Sequence, residues 1–169
     1  MGEDVDLDSA SRQLDRVLTF FPRVDAKSNS MFAINIGILA FAAVNLHFDD
    51  LAIWYIAIPA VAGLALAATS LAFVYQGNFP NLRGGAGSLV YFSEIAARTE
   101  QNFVSDFIKQ TSEAHARDLL SQAWRNSEIL KIKFHAVKAS FITTALSIVP
   151  WCAFLIAESL LHSQVPKVG

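Results

Sequence analysis

The chain has 169 residues, of which 53% are hydrophobic and 17% are charged. Soluble domains average about 25% charged residues, so this composition favours a membrane protein. The formal net charge of -2, with no dense basic run, argues against nucleic acid as a partner. The single cysteine, Cys152, leaves no intrachain disulfide and no multi-cysteine metal site.

The N-terminal segment predicts a short amphipathic helix from about Asp6 to Phe21. Pro22 is expected to end or kink this helix, which either packs on a partner or lies on the membrane interface. A polar collar follows, in which Asp25 and Lys27 are expected to anchor the chain at the interface, and it completes a predicted N-terminal region at residues 1–29. The apolar residues of the helix recur at helical spacings: Leu7, Leu14, Val17, Leu18 and Phe21.

Residues 30–76 predict a transmembrane hairpin. The run at 51–76 has no charged residue and is longer than the roughly 20 residues with which an α-helix crosses a bilayer. The run at 31–48 is shorter and contains Asn35 and Asn45, so taken alone it would also suit a buried helix. The polar link at 47–50 is so short that it implies a tight turn and an antiparallel return.

The segment at 77–138 predicts a cytoplasmic helical region. Its turn-rich start at 77–88 interrupts the helical pattern, and Ser88 is expected to cap a helix from about Leu89 to Thr99. A second helix is predicted over Glu100–Lys109, and Ser112 is expected to cap the longest helix. The glycines after Arg83 either form a flexible linker or expose backbone N–H groups to a phosphate.

The last helix is predicted to run from the cytoplasmic region into a third span at residues 139–161, followed by an external tail at 162–169. Residues 139–157 carry no charge, and Pro150 is expected to kink the span without ending it. A heptad-like seam along this helix would offer a surface for self-association: Leu120, Ala123, Ser127, Leu130, Phe134, Val137 and Phe141.

Lysine and arginine residues determine the predicted orientation. Of the 13 in the chain, only Lys167 follows the third span. By the positive-inside rule, the N-terminus and residues 77–138 are cytoplasmic and the C-terminus is outside. The sequence thus predicts an all-α integral membrane protein with three transmembrane helices, a small helical cytoplasmic region and a long stalk helix continuous with the third span.

The sequence lacks the motifs of hydrolases, nucleotide-binding P-loops and metalloenzymes, and its four histidines are scattered. Accordingly, no enzyme activity, metal site or cofactor is predicted. A polar layer is expected inside the spans, where it would serve interhelical hydrogen bonding or, in an oligomer, a wetted path. Its members are Asn35, Thr69, Ser70, Thr143, Thr144 and Ser147.

Several short motifs occur in an order that resembles a known family. The collar Asp25-Ala-Lys27 and the hairpin precede a Pro/Gly turn and Tyr91-Phe92-Ser-Glu-Ile95-Ala96. An acidic short helix and stalk motifs at 119–122 and 129–134 complete the order. In this respect the chain resembles the transmembrane effectors of Pycsar, the pyrimidine cyclase system for antiphage resistance.

The resemblance implies a function. In that family a cyclase makes cyclic CMP or cyclic UMP on phage infection, and the effector impairs the membrane and kills the cell before phage matures. It therefore implies an antiviral effector in the bacterial inner membrane that acts by abortive infection, with a cyclic pyrimidine nucleotide as activating ligand and with the lipid bilayer and further copies of itself as partners. The residues leave two other functions open, a small membrane scaffold or a transporter subunit that binds a protein partner through the stalk.

If the nucleotide binds this chain directly, the resemblance and the placement of charge suggest a site. Phosphate-binding groups would come from the segment at 83–85, stacking aromatic rings from the next helix, and lysines near the membrane would close the pocket. The alternative is that the aromatic residues and Lys133 merely pack the cytoplasmic helices. The candidate residues are Lys27, Arg83, Gly84, Gly85, Tyr91, Phe92 and Lys133.

Overall fold

The structure is a computed structural model that describes residues 6–79 and 85–163. These residues form helices and no strands. The α-helices are α1 (Leu7–Leu18), α2 (Phe20–Asn45), α3 (Trp54–Asn78), α4 (Phe92–Ala96), α5 (Glu100–Lys109) and α6 (Ser112–Ser163), and a 3₁₀ helix (Phe48–Ala52) lies between α2 and α3.

Three helical stretches are long and apolar enough to cross a membrane, as judged by length and composition: Leu7–Asn45, Trp54–Asn78 and Ser112–Leu161. The last lies within α6, a single helix of 52 residues that continues past Pro150. The predicted fold class, an all-α membrane protein with three spanning helices and a long C-terminal helix, is confirmed.

The chain divides into two compact units. Unit 1 draws on Met1–Val24 and Pro80–Ile132, and unit 2 on Asp25–Phe79 and Lys133–Gly169. Helices α1, α4 and α5 belong to unit 1 and α3 to unit 2, whereas α2 and α6 contribute residues to both.

Unit 2 is built on close helix packing through small residues. A Cβ atom placed on Gly77 would lie 2.8 Å from Cβ of Ala136, and one on Gly63 would lie 3.0 Å from the indole ring of Trp151. In a membrane, where lipid competes for apolar surface, such close approach lets van der Waals contacts hold the helices together. The buried residues of α3 recur in alternating steps of four and three: Ile56, Ala60, Gly63, Ala67, Ser70, Val74 and Gly77.

The N-terminal helix differs in one detail from its prediction. The interruption falls at Thr19, between α1 and α2, and Pro22 lies in the first turn of α2 instead of ending a helix. Proline is tolerated there because the N–H groups of a first turn have no acceptor within their own helix. The apolar face of α1 is buried in the chain through Ala10, Leu14 and Val17, which favours packing over an interfacial position.

The start of α1 is held by Asp6. Hydrogen bonds from the Ser9 hydroxyl and from the backbone N–H of Asp8 lower the pKa of the Asp6 carboxyl. The carboxylate thereby satisfies a donor in the first turn of α1, which otherwise has no partner inside the helix.

Other predicted helix ends also shift. The helix expected over Leu89–Thr99 is limited to α4, because the Ser88 hydroxyl accepts from the backbone N–H groups of Val90 and Tyr91 and closes a turn before the helix starts. Helix α5 has the predicted bounds. The hydroxyl of Thr111, one residue before Ser112, accepts from the N–H of Ala114 at 3.2 Å and caps α6.

The seam expected along α6 does not form one free face. Leu130 and Ala123 are buried in their own chain, while Leu120 and Phe134 are 38% and 40% exposed and Phe141 is 61% exposed. Leu130 and Ala123 therefore pack inside the chain, whereas Leu120, Phe134 and Phe141 lie on its surface. The heptad pattern combined a buried face of α6 with an exposed one. Only the exposed residues are available for a second copy.

Candidate functional site

A glycine-containing loop precedes α4 in unit 1. Gly85 and Gly87 have φ angles of +87° and +79°, a region that favours glycine over residues with a Cβ. At Gly85 the ring of Tyr91 also comes so close that an added Cβ would lie 2.6 Å from Cδ1 of that ring. Both the backbone conformation and the available space therefore require glycine at position 85.

Helix α6 holds this loop through Asp118. Oδ1 of Asp118 accepts from the Ser88 hydroxyl at 2.7 Å, and Oδ2 accepts from the backbone N–H of Leu89 at 2.8 Å. Gln122, one turn further along α6, donates from Nε2 to the same hydroxyl at 3.1 Å. Bonds to a charged carboxylate are among the stronger ones in proteins, so α6 fixes the loop conformation.

The backbone N–H groups of residues 87–91 are already engaged within the chain. The N–H of Gly87 donates to Glu94, that of Ser88 to the carbonyl of Gly85, and those of residues 89–91 to Asp118 or Ser88. A phosphate that approached residues 87–91 would need donors from elsewhere in the chain.

Arg125 supplies such a donor. It lies on the same face of α6 as Asp118, seven residues on, and its guanidinium carbon is 5.9 Å from the centroid of the Tyr91 ring. Its Nη1 atom is buried and has no hydrogen-bond partner among the residues that the structure describes. A buried donor without an acceptor is costly, and a guanidinium suits the paired oxygens of a phosphate.

Two adjoining clefts meet along this part of α6. The larger, of about 560 Å³, lies between the loop at 85–88 and α6, and the other, of about 520 Å³, is lined by Leu120 and Trp124. Arg117 and Arg125 line both clefts. Each volume is in the range of small-molecule sites, roughly 300–1,000 Å³.

An exposed aromatic ring accompanies the two arginines. Trp124 is 69% exposed, whereas Tyr91 is half-buried with its ring against Gly85 and Arg125. Arg117 pairs at 3.2 Å with Glu113, but both side chains are more than 70% exposed, so this pair is weak and easily exchanged. The two clefts thus combine cationic groups with an accessible π-face.

Of the sequence-predicted site residues, Gly85 lines the larger cleft, and the ring of Tyr91 lies next to Arg125 and Gly85. Phe92 follows Tyr91 directly, is 65% exposed and contacts its ring at 5.0 Å between centroids. Arg83 and Gly84 lie outside the described residues.

The two candidate lysines belong to unit 2. Lys133 is mostly buried and donates from Nζ to Oδ1 of Asp25 at 2.6 Å, so its charge already has a counterion. Lys27 is exposed and, together with Lys138 and Phe134, lines a groove of about 480 Å³.

The polar layer inside the spans is a hydrogen-bonded cluster in unit 2. Nδ2 of Asn35 lies 3.0 Å from both Ser70 Oγ and Thr144 Oγ1, and the Ser70 and Ser140 hydroxyls are 2.7 Å apart. Asn35, Ser70 and Ser140 are fully buried. By contrast, Thr69 is exposed and donates to the carbonyl of Ala65 in its own helix. The predicted interhelical hydrogen bonds are therefore present, with Ser140 as an additional member.

Sequence reasoning missed Arg125 and Trp124 in the cleft and Ser140 in the polar cluster. The sequence does contain a signal for Arg125. Asp118, Gln122 and Arg125 are separated by four and then three residues, so the three polar side chains lie on one face of α6. We did not identify this polar face from the sequence because the apolar seam of the same helix gives the stronger periodic pattern.

Comparisons with known proteins agree with this architecture. The model of a family described as the PycTM Pycsar effector protein domain matches residues 9–158. No curated protein and no solved structure matches the chain. Because the match covers most of the chain and overlaps all three candidate spans, the chain belongs to the PycTM family, the membrane effectors of the Pycsar antiphage system.

Proposed function

We propose that this membrane effector is activated by a cyclic pyrimidine nucleotide, cyclic CMP or cyclic UMP, and then impairs the membrane so that infection is abortive. The observation that carries the proposal is the match of the PycTM family to residues 9–158. The effector acts by changing membrane integrity and not by catalysis. It lies in the bacterial inner membrane, with the N-terminus and residues 77–138 in the cytoplasm, where a cyclase releases its product.

The nucleotide phosphate binds Arg125, with Arg117 as a second cation. Support comes from the buried Nη1 of Arg125, which has no acceptor among the described residues, and from the position of both arginines between two clefts. A cyclic nucleotide carries one negative charge and two free phosphate oxygens, so a guanidinium can hold both oxygens at once. Gly85 contributes by leaving room for the arginine beside Tyr91.

The pyrimidine ring stacks on Trp124. This side chain is exposed, lies in the cleft next to Arg125 and offers the largest π-face in that cleft. Stacking of a base on an aromatic side chain contributes about 1–3 kcal/mol. Stacking does not read the base edge, so the choice between cyclic CMP and cyclic UMP is left to the titration with both nucleotides.

The response requires several copies of the chain. Three spanning helices do not enclose a water path, and Asn35, Ser70 and Thr144 are engaged with one another in the resting chain. We expect the exposed residues Leu120 and Phe134 of α6 to contribute to self-association. Because α6 contributes residues to both units, a change at Arg125 is passed to the third span along one continuous helix.

Calorimetric titration tests the binding step. Purified full-length protein in detergent is titrated with cyclic CMP, cyclic UMP and cyclic AMP, and we expect heat from one pyrimidine nucleotide together with quenching of tryptophan fluorescence. Arg125→Met should abolish binding and Trp124→Leu should remove the quenching. Arg16→Met, which changes an exposed arginine of α1, and Trp54→Leu, which changes a 72% exposed tryptophan of unit 2, serve as matched controls.

A cellular test separates the function from the site. Cells that express the effector with an active pyrimidine cyclase should lose membrane potential, and cells with either component alone should not. Loss of potential without any nucleotide binding in the titration would reject the cleft and keep the function. Normal growth with both components, while the protein is inserted in the membrane, would reject the function.

Reporter fusions test the orientation. A reporter after Gly169 should be active outside the cytoplasm, and one inserted in the loop at 84–87 should be active inside. A cytoplasmic signal from the C-terminal fusion would mean that the third candidate span does not cross.

A further inference from the structure

A groove with mostly apolar walls lies between α2 and α6 in unit 2 and is here called the α2–α6 groove. Its volume is about 480 Å³, and each helix lines it with residues three or four positions apart. Lys27, Ser30 and Met31 come from α2, and Lys138 and Phe141 come from α6. Residues at these spacings share one face of a helix, so the groove follows the two helices along their length.

Two contacts determine the register of α2 and α6. Nζ of Lys133 lies 2.6 Å from Oδ1 of Asp25, and Nδ2 of Asn35 lies 3.0 Å from Oγ1 of Thr144. The contacts are ten residues apart on α2 and eleven residues apart on α6, so these helices run side by side in the same direction. In this register Lys138 is level with the residue three positions after Lys27, a difference of about 4.5 Å along the axis.

Both groove lysines stand at the start of an uncharged run. No Asp, Glu, Lys or Arg occurs at residues 28–48 or 139–157, and Lys27 and Lys138 directly precede these two runs. Each run is close to the roughly 20 residues that cross the hydrocarbon core of a bilayer. The two lysines therefore lie at the same membrane boundary, at the depth of the phospholipid headgroups.

Aromatic residues of α3 mark the same boundary independently. Tyr75 and Phe79 are exposed near the end of this helix, and their ring centroids are 4.8 Å apart. This end of α3 is level with the groove lysines, because the hydroxyl of Ser28, which follows Lys27, donates to Oδ1 of Asn78 at 3.0 Å. Exposed tyrosines are enriched where a membrane protein passes from lipid to water.

The charge around the groove is positive. The carboxylate of Asp25 lies closest to this boundary among the described residues of unit 2, and it is already paired with Lys133. On α6 the carboxylates before and after Lys138 belong to Glu128 and Glu158, about 15 and 30 Å away along the axis. Two ammonium groups at headgroup depth, beside apolar walls, complement a ligand with an anionic head and an apolar tail.

We propose that the α2–α6 groove binds one anionic phospholipid. Its phosphate lies between Lys27 and Lys138, whose aliphatic stems cover part of the apolar wall, and an acyl chain extends along Met31 towards Phe141. A soluble anion would use the ammonium groups alone, whereas the lipid also covers the apolar side chains deeper in the membrane. A zwitterionic phospholipid has no net charge to match the two lysines.

The lipid would contact both α2 and α6. A ligand that binds only the paired arrangement of two helices stabilises that arrangement by mass action. An anionic phospholipid should therefore raise the melting temperature of the full-length protein more than a zwitterionic one does.

Native mass spectrometry tests the selectivity. Full-length protein in detergent is titrated with phosphatidylglycerol or with phosphatidylcholine of the same acyl chains, and the bound lipids are counted. We expect one phosphatidylglycerol per chain, bound about 20-fold more tightly than phosphatidylcholine, because each lysine near a membrane surface contributes about fivefold. Lys27→Gln and Lys138→Gln should each weaken binding about fivefold. Lys131→Gln, which changes an exposed lysine two turns before Lys138, is the matched control and should bind as the unaltered protein does.

A second pair of variants tests the groove itself. Ser30→Trp places an indole in the groove and keeps both lysines, and the hydrogen bond that it removes, to the carbonyl of Ala26, lies within α2. This variant should lose the bound lipid. Asn29→Trp, which changes the neighbouring exposed residue outside the groove lining, should keep it.

Three results would overturn the proposal. They are equal affinity of the unaltered protein for the two lipids, unchanged affinity when both groove lysines are replaced by glutamine, and unchanged affinity in Ser30→Trp. Helical content of each variant must match that of the unaltered protein. Lys27→Arg and Lys138→Arg keep the charge and should keep the preference for phosphatidylglycerol, and the comparison of the two lipids on the unaltered protein decides the question whether or not a variant folds.

Discussion

One buried polar group of unit 2 and one of unit 1 differ in whether they have hydrogen-bond partners. In unit 2 the amide of Asn35 and the hydroxyls of Ser70 and Thr144 bond one another. In unit 1 the buried Nη1 of Arg125 has no hydrogen-bond partner in the described chain. Because burial without a partner costs free energy, a satisfied set contributes to holding helices together, whereas an unsatisfied one is retained where a ligand completes it. The comparison predicts that Asn35 contributes to the stability of the protein, whereas Arg125 contributes to the nucleotide binding that we propose.

The largest effect on stability is expected from Gly77→Ala in unit 2. The added Cβ would lie 2.8 Å from Cβ of Ala136, so the two helices must separate. We expect a loss of about 1–3 kcal/mol from overpacking, measured by unfolding in mixed micelles with increasing SDS. Gly37→Ala is the matched control, since nothing lies within 4 Å of its added Cβ and it should gain helix propensity.

A second substitution sharpens this test. If the clash causes the loss, Ala136→Gly in the Gly77→Ala background should restore most of the stability, because it removes the atom that is contacted. Equal losses in Gly77→Ala and Gly37→Ala would contradict close packing at this point.

The next effect in size is expected from Asn35→Leu, which removes the centre of the polar cluster. Ser70 and Thr144 each lose a partner, and interhelical hydrogen bonds in membranes contribute about 1–2 kcal/mol at most. The stability should fall by this amount in the same micelle assay, while nucleotide affinity stays unchanged. Asn45→Leu is the control because, in the part of the chain that the structure describes, its amide donates to the carbonyl of Phe41 within α2.

A smaller effect is expected from Asp118→Asn in unit 1. The amide keeps one acceptor oxygen but places an NH₂ group against a donor, either the Ser88 hydroxyl or the N–H of Leu89. We expect a local loss of about 1 kcal/mol, seen as faster hydrogen exchange at Leu89. Asp106→Asn breaks an ion pair with Arg98 that is partly exposed, so exchange at Leu89 should not change there.

The smallest effect on stability is expected from Arg125→Met, although this variant should lose nucleotide binding. Its Nη1 makes no hydrogen bond to lose among the described residues, and replacing a partly buried charge by an apolar side chain is often neutral. We expect a change within about 0.5 kcal/mol, because the methionine keeps most of the packing beside Tyr91. A loss as large as that of Asn35→Leu would place Arg125 among the structural residues and remove the distinction between Asn35 and Arg125.

Local sequence patterns determined most of the helical architecture. The uncharged run at 51–76 and the short polar link after Asn45 are sufficient to predict a hairpin, because helix length and hydrophobic period depend on near neighbours along the chain. The bounds of α5 follow in the same way from its flanking cap residues. Two predicted helix ends were wrong. At Ser88 the hydroxyl binds backbone N–H groups and delays the start of α4, and Pro22 lies in the first turn of α2, where proline does not end a helix.

Only the tertiary structure decided which distant side chains meet. Glu158 is 111 residues from His47, and Thr144 is 109 residues from Asn35, yet each pair lies within hydrogen-bond distance. Such contacts depend on how each helix is rotated about its axis, and a rotation of one residue step, about 100°, would turn either partner away. The sequence by itself thus determined the helices and their order, whereas helix packing decided the polar cluster, the arginine cleft and the contact between His47 and Glu158.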